Sequence, residues 1–265
     1  MEAAVVGNVN LDVICAPVDD VPRFDAISFE NAVVSPGGCG SNTAIGLLCL
    51  GVDTALIAYL GQDDAAFLAE RYWERIGLDI RFVKHTDRYP TGVSIGLVDS
   101  QHQPRFIHSP GANICLSAED LPIDEIISRG VKALHIAGYF VLPGLLNPSL
   151  RTILGRARQA GILTSLDVVD SPRMADPSML WSCLPEVDVL LCNSTEAKRL
   201  SEEEDVDKAA RFLRSKGARA VVVKLGADGC WLEDGRQGQA IPGLPAKVVD
   251  TTGAGDAFSA GLIAA

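Results

Sequence analysis

The sequence predicts an α/β protein: a three-layer sandwich with a mainly parallel central sheet flanked by helices, plus a small β-lid. Three observations predict it. Short, continuous apolar runs alternate with amphipathic helical segments through most of the 265 residues, the pattern of βα units whose strands are covered on both faces. Hydrophobic residues make up 48% of the chain, enough to fill the core that such a sheet requires. Two stretches, 12–36 and 89–111, break the rhythm with Pro, Asp, Gly and short alternating runs.

The elements follow in order. Residues 3–6, 54–60, 131–136, 162–168, 187–192 and 220–225 read as buried strands, each a continuous apolar run. Asp63 or Asp64 caps a helix that runs to Ile76 and stops at Gly77; another starts at Ser149 and ends near Gly161; a third covers 206–216 and stops at Gly217. Stretches 12–36 and 89–111 read as antiparallel strands, too distant in sequence for one hairpin but able to meet in space. A lid over the mouth of the main sheet and a plain surface excursion both fit that pattern. No repeat, low-complexity tract or interdomain linker interrupts the chain.

Charge and cysteine usage narrow the function classes. With 23 basic and 34 acidic residues the formal charge is −11, which disfavours nucleic acid and anionic membrane as bulk partners. The seven cysteines are scattered, odd in number and never spaced Cys-x-x-Cys. They suit a reducing cytoplasm rather than a disulfide framework or structural zinc. Residues 1–7 lack the basic and apolar regions of a signal peptide. The longest apolar stretch, 44–52, is far short of the roughly 20 residues that cross a bilayer.

Three constellations could carry chemistry. Ser35-Pro-Gly-Gly-Cys-Gly-Ser-Asn-Thr43 precedes an apolar helix, 44–50. Its glycines permit close backbone approach to a ligand, and Asn42 can donate to and accept from a hydroxyl; a glycine turn capped by Ser41 is the plain structural reading. Asn193-Ser-Thr-Glu196 follows the run 187–192. It reads as a capping box, or as a polar pair at the carboxyl end of a parallel strand, where Glu196 could organise water around Mg²⁺. Asp250-Thr-Thr-Gly-Ala-Gly-Asp256 is the most specific signal. Gly253, Ala254 and Gly255 would offer amides to an anion at a helix start, with the Asp256 carboxylate immediately beside them. A carboxylate is a poor static phosphate ligand. It makes sense as a base for an attacking hydroxyl while the amides stabilise a transferred phosphoryl group. No P-loop and no protein-kinase motif set is present, and Gly253-Ala-Gly255 lacks the third glycine of a dinucleotide fingerprint.

Together these segments resemble the ribokinase-like (PfkB) carbohydrate kinases. Gly37-Gly-Cys-Gly-Ser-Asn42 is similar to the family's first signature and Asp250–Asp256 to its second. Asn193-Ser-Thr-Glu196 resembles the Asn-x-x-Glu motif between them, and Gly7-Asn-Val-Asn-Leu-Asp12 the opening strand with its substrate aspartate. The resemblance implies one ribokinase-like domain over 1–265, ATP with Mg²⁺, in many members activation by K⁺, and in some a homodimer through the lid. It implies that Asp12, Gly38 and Asn42 hold substrate hydroxyls, and that Asn193, Lys224 and Gly226 lie along the nucleotide. It further implies that Glu196 orders magnesium, that Asp250 and Thr252 contribute to a monovalent-cation loop, and that Asp256 is the base beside the Gly253–Gly255 anion hole.

Two departures bear on these expectations. The family continues past its second signature, whereas this sequence ends at Ala265, so a C-terminal truncation is expected. Ribokinase itself holds ribose with a glutamate near 131–136, where this chain reads His135-Ile-Ala-Gly-Tyr-Phe140 without an acid. Asp167 and Asp170 follow another strand and read as capping or turn residues, with a place in a metal network as the alternative. A nucleoside kinase with a pocket lined by Phe24, Phe106 and Tyr139, and a non-catalytic sugar- or nucleotide-binding regulator, are the competing functions.

Overall fold

The computed structural model describes residues 1–101, 104–248 and 251–265. Thirteen strands and eight α-helices occur among them. The strands are β1 (Ala3–Gly7), β2 (Asn10–Ala16), β3 (Asn31–Gly37), β4 (Thr54–Gly61), β5 (Asp79–Thr86), β6 (Gly92–Val98) and β7 (Pro104–Ser109). They continue with β8 (Ala133–Ala137), β9 (Leu163–Asp167), β10 (Val189–Asn193), β11 (Ala220–Lys224), β12 (Cys230–Glu233) and β13 (Gln239–Ile241). The helices are α1 (Cys39–Cys49), α2 (Asp64–Ile76), α3 (Ile123–Ser128), α4 (Pro148–Gln159), α5 (Ser178–Cys183), α6 (Ser194–Ser201), α7 (Val206–Ser215) and α8 (Ala254–Ala264).

Nine strands form the main sheet in the order β13-β12-β11-β10-β9-β8-β1-β4-β5. From β11 to β5 every neighbouring pair is parallel; β12 and β13 close one edge antiparallel. Strand β1 shows why its kind reads as an unbroken apolar run. Ala4 and Val6 join the core with Leu134, Leu154 and Leu190, while Ala3 and Val5 join a second core with Leu47, Leu56 and the fully buried Trp73. Alternate side chains thus go into different cores, and both must be apolar.

The chain order reverses between β1 and β8. Strands β4 and β5 lie beyond β1 on one side, and β9, β10 and β11 beyond β8 on the other. Open parallel sheets leave a crevice at the carboxyl ends of the strands where the order reverses. Gly7 and Ala137, paired in register, are those ends.

The second sheet has the order β3-β2-β6-β7. Its outer pairs are antiparallel, but β2 and β6, which join the two segments distant in sequence, pair in parallel from Asn10↔Gly92 to Cys15↔Leu97. The antiparallel expectation fails at this centre because 75 residues (17–91), with β3 and the main-sheet strands β4 and β5 among them, intervene, and a long crossover lets the strand return in either direction.

Helix starts follow the expected chemistry. Asp63 caps α2 by accepting from Ala66 N at 2.9 Å, and Gly77 closes it in the left-handed conformation. Helix α4 begins one residue before Ser149, at Pro148, capped by Asn147. Helix α1 departs further: it begins at Cys39, five residues before the apolar run, with Gly38 as N-cap at φ 83° and no side-chain cap. Ser41 lies inside it and accepts from the Trp73 indole at 3.1 Å instead.

Candidate active site

Two helices start at the crevice and run side by side. Asn42 Nδ2 of α1 donates to Asp256 Oδ2 of α8 at 2.8 Å. One turn on, a Cβ at Gly46 would lie 2.9 Å from the Ala260 methyl. Contacts at 42/256 and again at 46/260 mean that the helices point the same way, with both N-termini at one place. Each has a glycine N-cap at positive φ, Gly38 at 83° and Gly253 at 73°, a backbone conformation that a side chain would strain. The glycine signatures therefore set the angles at which two positive helix ends enter one site.

Asp256 sits in the first turn of α8. Burial pushes its carboxyl up to about 6, with Asp167 adding to the rise and the Asn42 hydrogen bond and Lys224 opposing it. Asp12, on β2, faces it across the site. Burial and the Asp256 charge raise the Asp12 carboxyl to about 6 as well. Asp12 Oδ1 is buried with no hydrogen-bond partner among the described residues, an acceptor that a ligand hydroxyl would satisfy. Gly37 packs directly on that carboxylate, where a Cβ would overlap it. Asn8, between Gly38 and Gly138, likewise keeps a buried Oδ1 without partner among the described residues.

Beyond Asp256 lies a cleft of about 300 Å³ lined by Asn193, Glu196, Lys224, Gly226, Gly255 and Asp256, among others. Asn193 and Glu196 form the capping box of α6: Asn193 Oδ1 accepts from Glu196 N at 2.9 Å and Glu196 Oε2 from Asn193 N at 2.7 Å. The structural and the positional readings thus hold together, because the box sits at the carboxyl end of β10. Glu196 Oε1 also accepts from Asp170 N at 3.2 Å. Burial raises the Glu196 carboxyl to about 7, opposed by the Asn193 N–H. A carboxylate so fixed suits the ordering of water on a cation better than direct ligation. Among the described residues no group of three or more His, Cys, Asp or Glu could hold a metal alone; a Mg²⁺ here would share its coordination with phosphate oxygens.

The structure brings together Asp12, Gly38, Asn42, Asn193, Glu196, Lys224, Gly226, Gly255 and Asp256 around one crevice. Gly253 and Ala254 form the entry to α8, where Ala254 N donates to Thr251 O at 3.1 Å. Thr252 precedes them at the surface, and Asp250 lies outside the described residues. Phe24, Phe106 and Tyr139 do not assemble: Phe24 is 87% exposed, Phe106 is half-exposed, and Tyr139 is buried against Phe140. Sequence reasoning missed one neighbour of Asp256 and gave another a plainer role. Cys39, at the start of α1, adjoins Asp256, and Asp167 is buried and paired with Lys224. The sequence marked Asp167 as a capping or turn residue, with a metal network as the alternative; it ends β9 at the sheet's carboxyl edge, in an ion pair instead.

Comparison with known proteins agrees with this geometry. The profile described as pfkB family carbohydrate kinase matches residues 2–265. The ATP-dependent ribose-1-phosphate kinase of Halopiger xanaduensis is 33% identical over 97% of this chain and 82% of that protein. The ribokinase of Haemophilus influenzae is 26% identical over 98% of this chain and 84% of that protein. Arabidopsis thaliana ribokinase, solved with ribose and ATP, superposes with a TM-score of 0.78 at 26% identity, covering 99% of this chain and 85% of that one. With a profile spanning the crevice, both glycine-led helices and the cleft, the chain belongs to the pfkB family of carbohydrate kinases.

Proposed function

We propose that the chain transfers the γ-phosphoryl group of ATP to a hydroxyl of a sugar or sugar-like molecule, with Asp256 as the general base. The observation that carries this reading is the placement of Asp256: a half-buried carboxylate raised to about 6, held by Asn42 beside the N-terminus of α8. As the O–H bond of the acceptor breaks, its proton passes to Asp256 while the oxygen attacks the γ-phosphorus and the bond to ADP breaks. In this reading the Gly253, Ala254 and Gly255 segment, at the positive end of α8, offers its amides to the charge on the transferred group, the Ala254 N–H giving up its bond to Thr251 O to do so. Asp12 and the Asn42 amide orient the acceptor, and Gly38 lets the backbone approach it. Asn193, Lys224 and Gly226 lie along the nucleotide. Glu196 would order water on a bound Mg²⁺, which would supply charge neutralisation on the phosphates. Asp250 and Thr252 belong to a loop for K⁺ in this reading.

The small sheet acts as the lid. It carries Asp12 on β2 and covers the crevice, so that its closure excludes water as a competing acceptor. Val33, Val34, Phe106 and Ile107 of that sheet are 47–61% exposed, which supports a homodimer through the lid; a monomer in sedimentation at assay concentrations would remove that element. Seven cysteines without a disulfide support a cytoplasmic setting.

The test is ADP release from ATP and Mg²⁺, with and without K⁺, against a panel of sugars and nucleosides. Ribose and ribose 1-phosphate come first, since the relatives are named for them. Turnover with one acceptor is expected, falling about 10³- to 10⁴-fold in Asp256→Asn. Full activity in that variant would remove Asp256 as base. ATP binding without turnover of any acceptor would favour the regulator.

A further inference from the structure

A buried ion pair lies beside the base, and the chemistry above gives one of its members no task. Asp167 ends β9 and is 4% exposed; Lys224 ends β11. The Lys224 ammonium donates to both Asp167 oxygens, at 2.9 and 2.7 Å. Ser259 of α8 donates to the same Oδ2 at 2.7 Å. One carboxylate thus ties two strand ends to the helix that begins at the anion cradle. The ammonium lies 3.4 Å from where a Cβ would stand on Gly255. The cleft is lined by three carboxylates, Asp167, Glu196 and Asp256, against the single ammonium of Lys224. A polyphosphate entering it needs that ammonium to face inward.

We propose that Asp167 is a positioning residue, holding the Lys224 ammonium at the start of α8 and keeping it off the base Asp256. The inference rests on the proposed function. A lysine side chain is long and mobile, and Asp256 and Glu196 both act on Lys224 electrostatically. Without Asp167 the ammonium would turn to Asp256, neutralise it, and obstruct the approach of the hydroxyl. Asp167 wins because it engages the ammonium with both oxygens and is itself fixed by Ser259. Burial draws the Lys224 ammonium toward neutrality, but Asp167, with Glu196 and Asp256 adding to it, offsets this and the net shift is upward, so the cation persists. A buried pair of this kind adds little stability by itself; what it adds here is direction.

The experiment is a double-mutant cycle on the full chain, with Asp167→Asn, Lys224→Met and both together. Asp256 is faced by Asp12 from β2, Cys39 and Asn42 from α1, Asp167 from β9 and Lys224 from β11. Removing the Asp167 charge lowers the Asp256 carboxyl, so the acid limb of the rate profile moves to lower pH. Asp167→Asn should reduce kcat about 10²-fold, leave the sugar KM unchanged and show that acid shift. In the Lys224→Met background the same change should cost less than about two-fold, since interacting residues are non-additive. The double variant also lacks the uncompensated buried charge that could unfold the single one. Wild-type kcat with an unmoved profile in Asp167→Asn, or an equal cost in both backgrounds, overturns the proposal. If wild type itself turns nothing over, the kinase reading fails separately, and calorimetric titration with ATP and Mg²⁺ decides the pairing. Binding should then weaken about ten-fold on Asp167→Asn only when Lys224 is present.

Discussion

The two sheets of this molecule solve opposite problems. In the main sheet, β1 and β8 are buried at every position, and the side chains on either face enter separate cores. In the small sheet, β3 is exposed over its first four residues, and large apolar side chains such as Val33 and Ile107 face solvent. Yet both reach the same site: the main sheet and its helices bring Asp256, Lys224 and Glu196, and the small sheet brings Asp12. In the proposed reading the main sheet is the floor and the small sheet the cover, since positioning a base needs rigidity and admitting a substrate needs a part that moves.

That contrast breaks first in the cores. Leu134, on β8 in the larger core, is fully buried, so Leu134→Ala should cost about 2–5 kcal/mol through lost burial and the cavity left behind. Ile107, on β7, is 61% exposed, and Ile107→Ala should change stability by less than about 0.5 kcal/mol. Urea unfolding of the two variants checks both values. A large loss at Ile107 would mean that a second copy covers the small sheet, and sedimentation would then show the dimer dissociating.

The same contrast explains what could be read in the sequence. Continuous apolar runs marked the inner strands β1, β4 and β8 to β11, because burial on both faces erases polarity. Strand β5, at the sheet edge, escaped notice: its residues Asp79–Thr86 carry Asp, Arg, Lys and His and are half-buried or exposed. Strands β12 and β13 are three or four residues long, too short for a periodic signal. The site glycines, Asn42, Glu196 and Asp256 were legible as local motifs with a chemical reason. The pairing of Asp167 with Lys224 was not, since 57 residues separate them and nothing local distinguishes a pinning carboxylate from a turn aspartate. Nor was the Asn42–Asp256 bond, which spans 214 positions.

A second prediction asks how much the cover contributes to the chemistry beneath it. Asp12 offers an unpartnered buried oxygen, and its carboxyl is raised by the Asp256 charge, a repulsion the two groups share. Asp12→Asn should weaken sugar binding by about 1–3 kcal/mol, the value of a charged hydrogen bond. It should appear as a raised sugar KM with an unchanged ATP KM. Removing a like charge also lowers the Asp256 carboxyl, so the acid limb should shift to lower pH. An effect confined to ATP would place Asp12 on the wrong side of the reaction.

A smaller effect at the site itself is a gain in stability from removing the proposed base. The Asp256 carboxyl lies near 6 in the folded chain against 3.8 for the unperturbed group. Between those values the folded state binds more protons than the unfolded one, so stability falls as pH rises through that window. At pH 7 the whole unfavourable contribution is present, and below about pH 4 it has vanished. Asp256→Asn should therefore be more stable than wild type at neutral pH, with the advantage closing as pH drops toward 4. The full shift would give about 3 kcal/mol at about 1.4 per pH unit. The gain should be nearer 1 kcal/mol, because Lys224 and Asn42 lose a charged partner. Thermal unfolding of both proteins at neutral and acid pH measures it. A variant less stable than wild type at neutral pH, or an advantage independent of pH, would show that Asp256 is not held against a folding cost. The raised carboxyl would then need another cause than its half-buried place beside Asp167 at the start of α8.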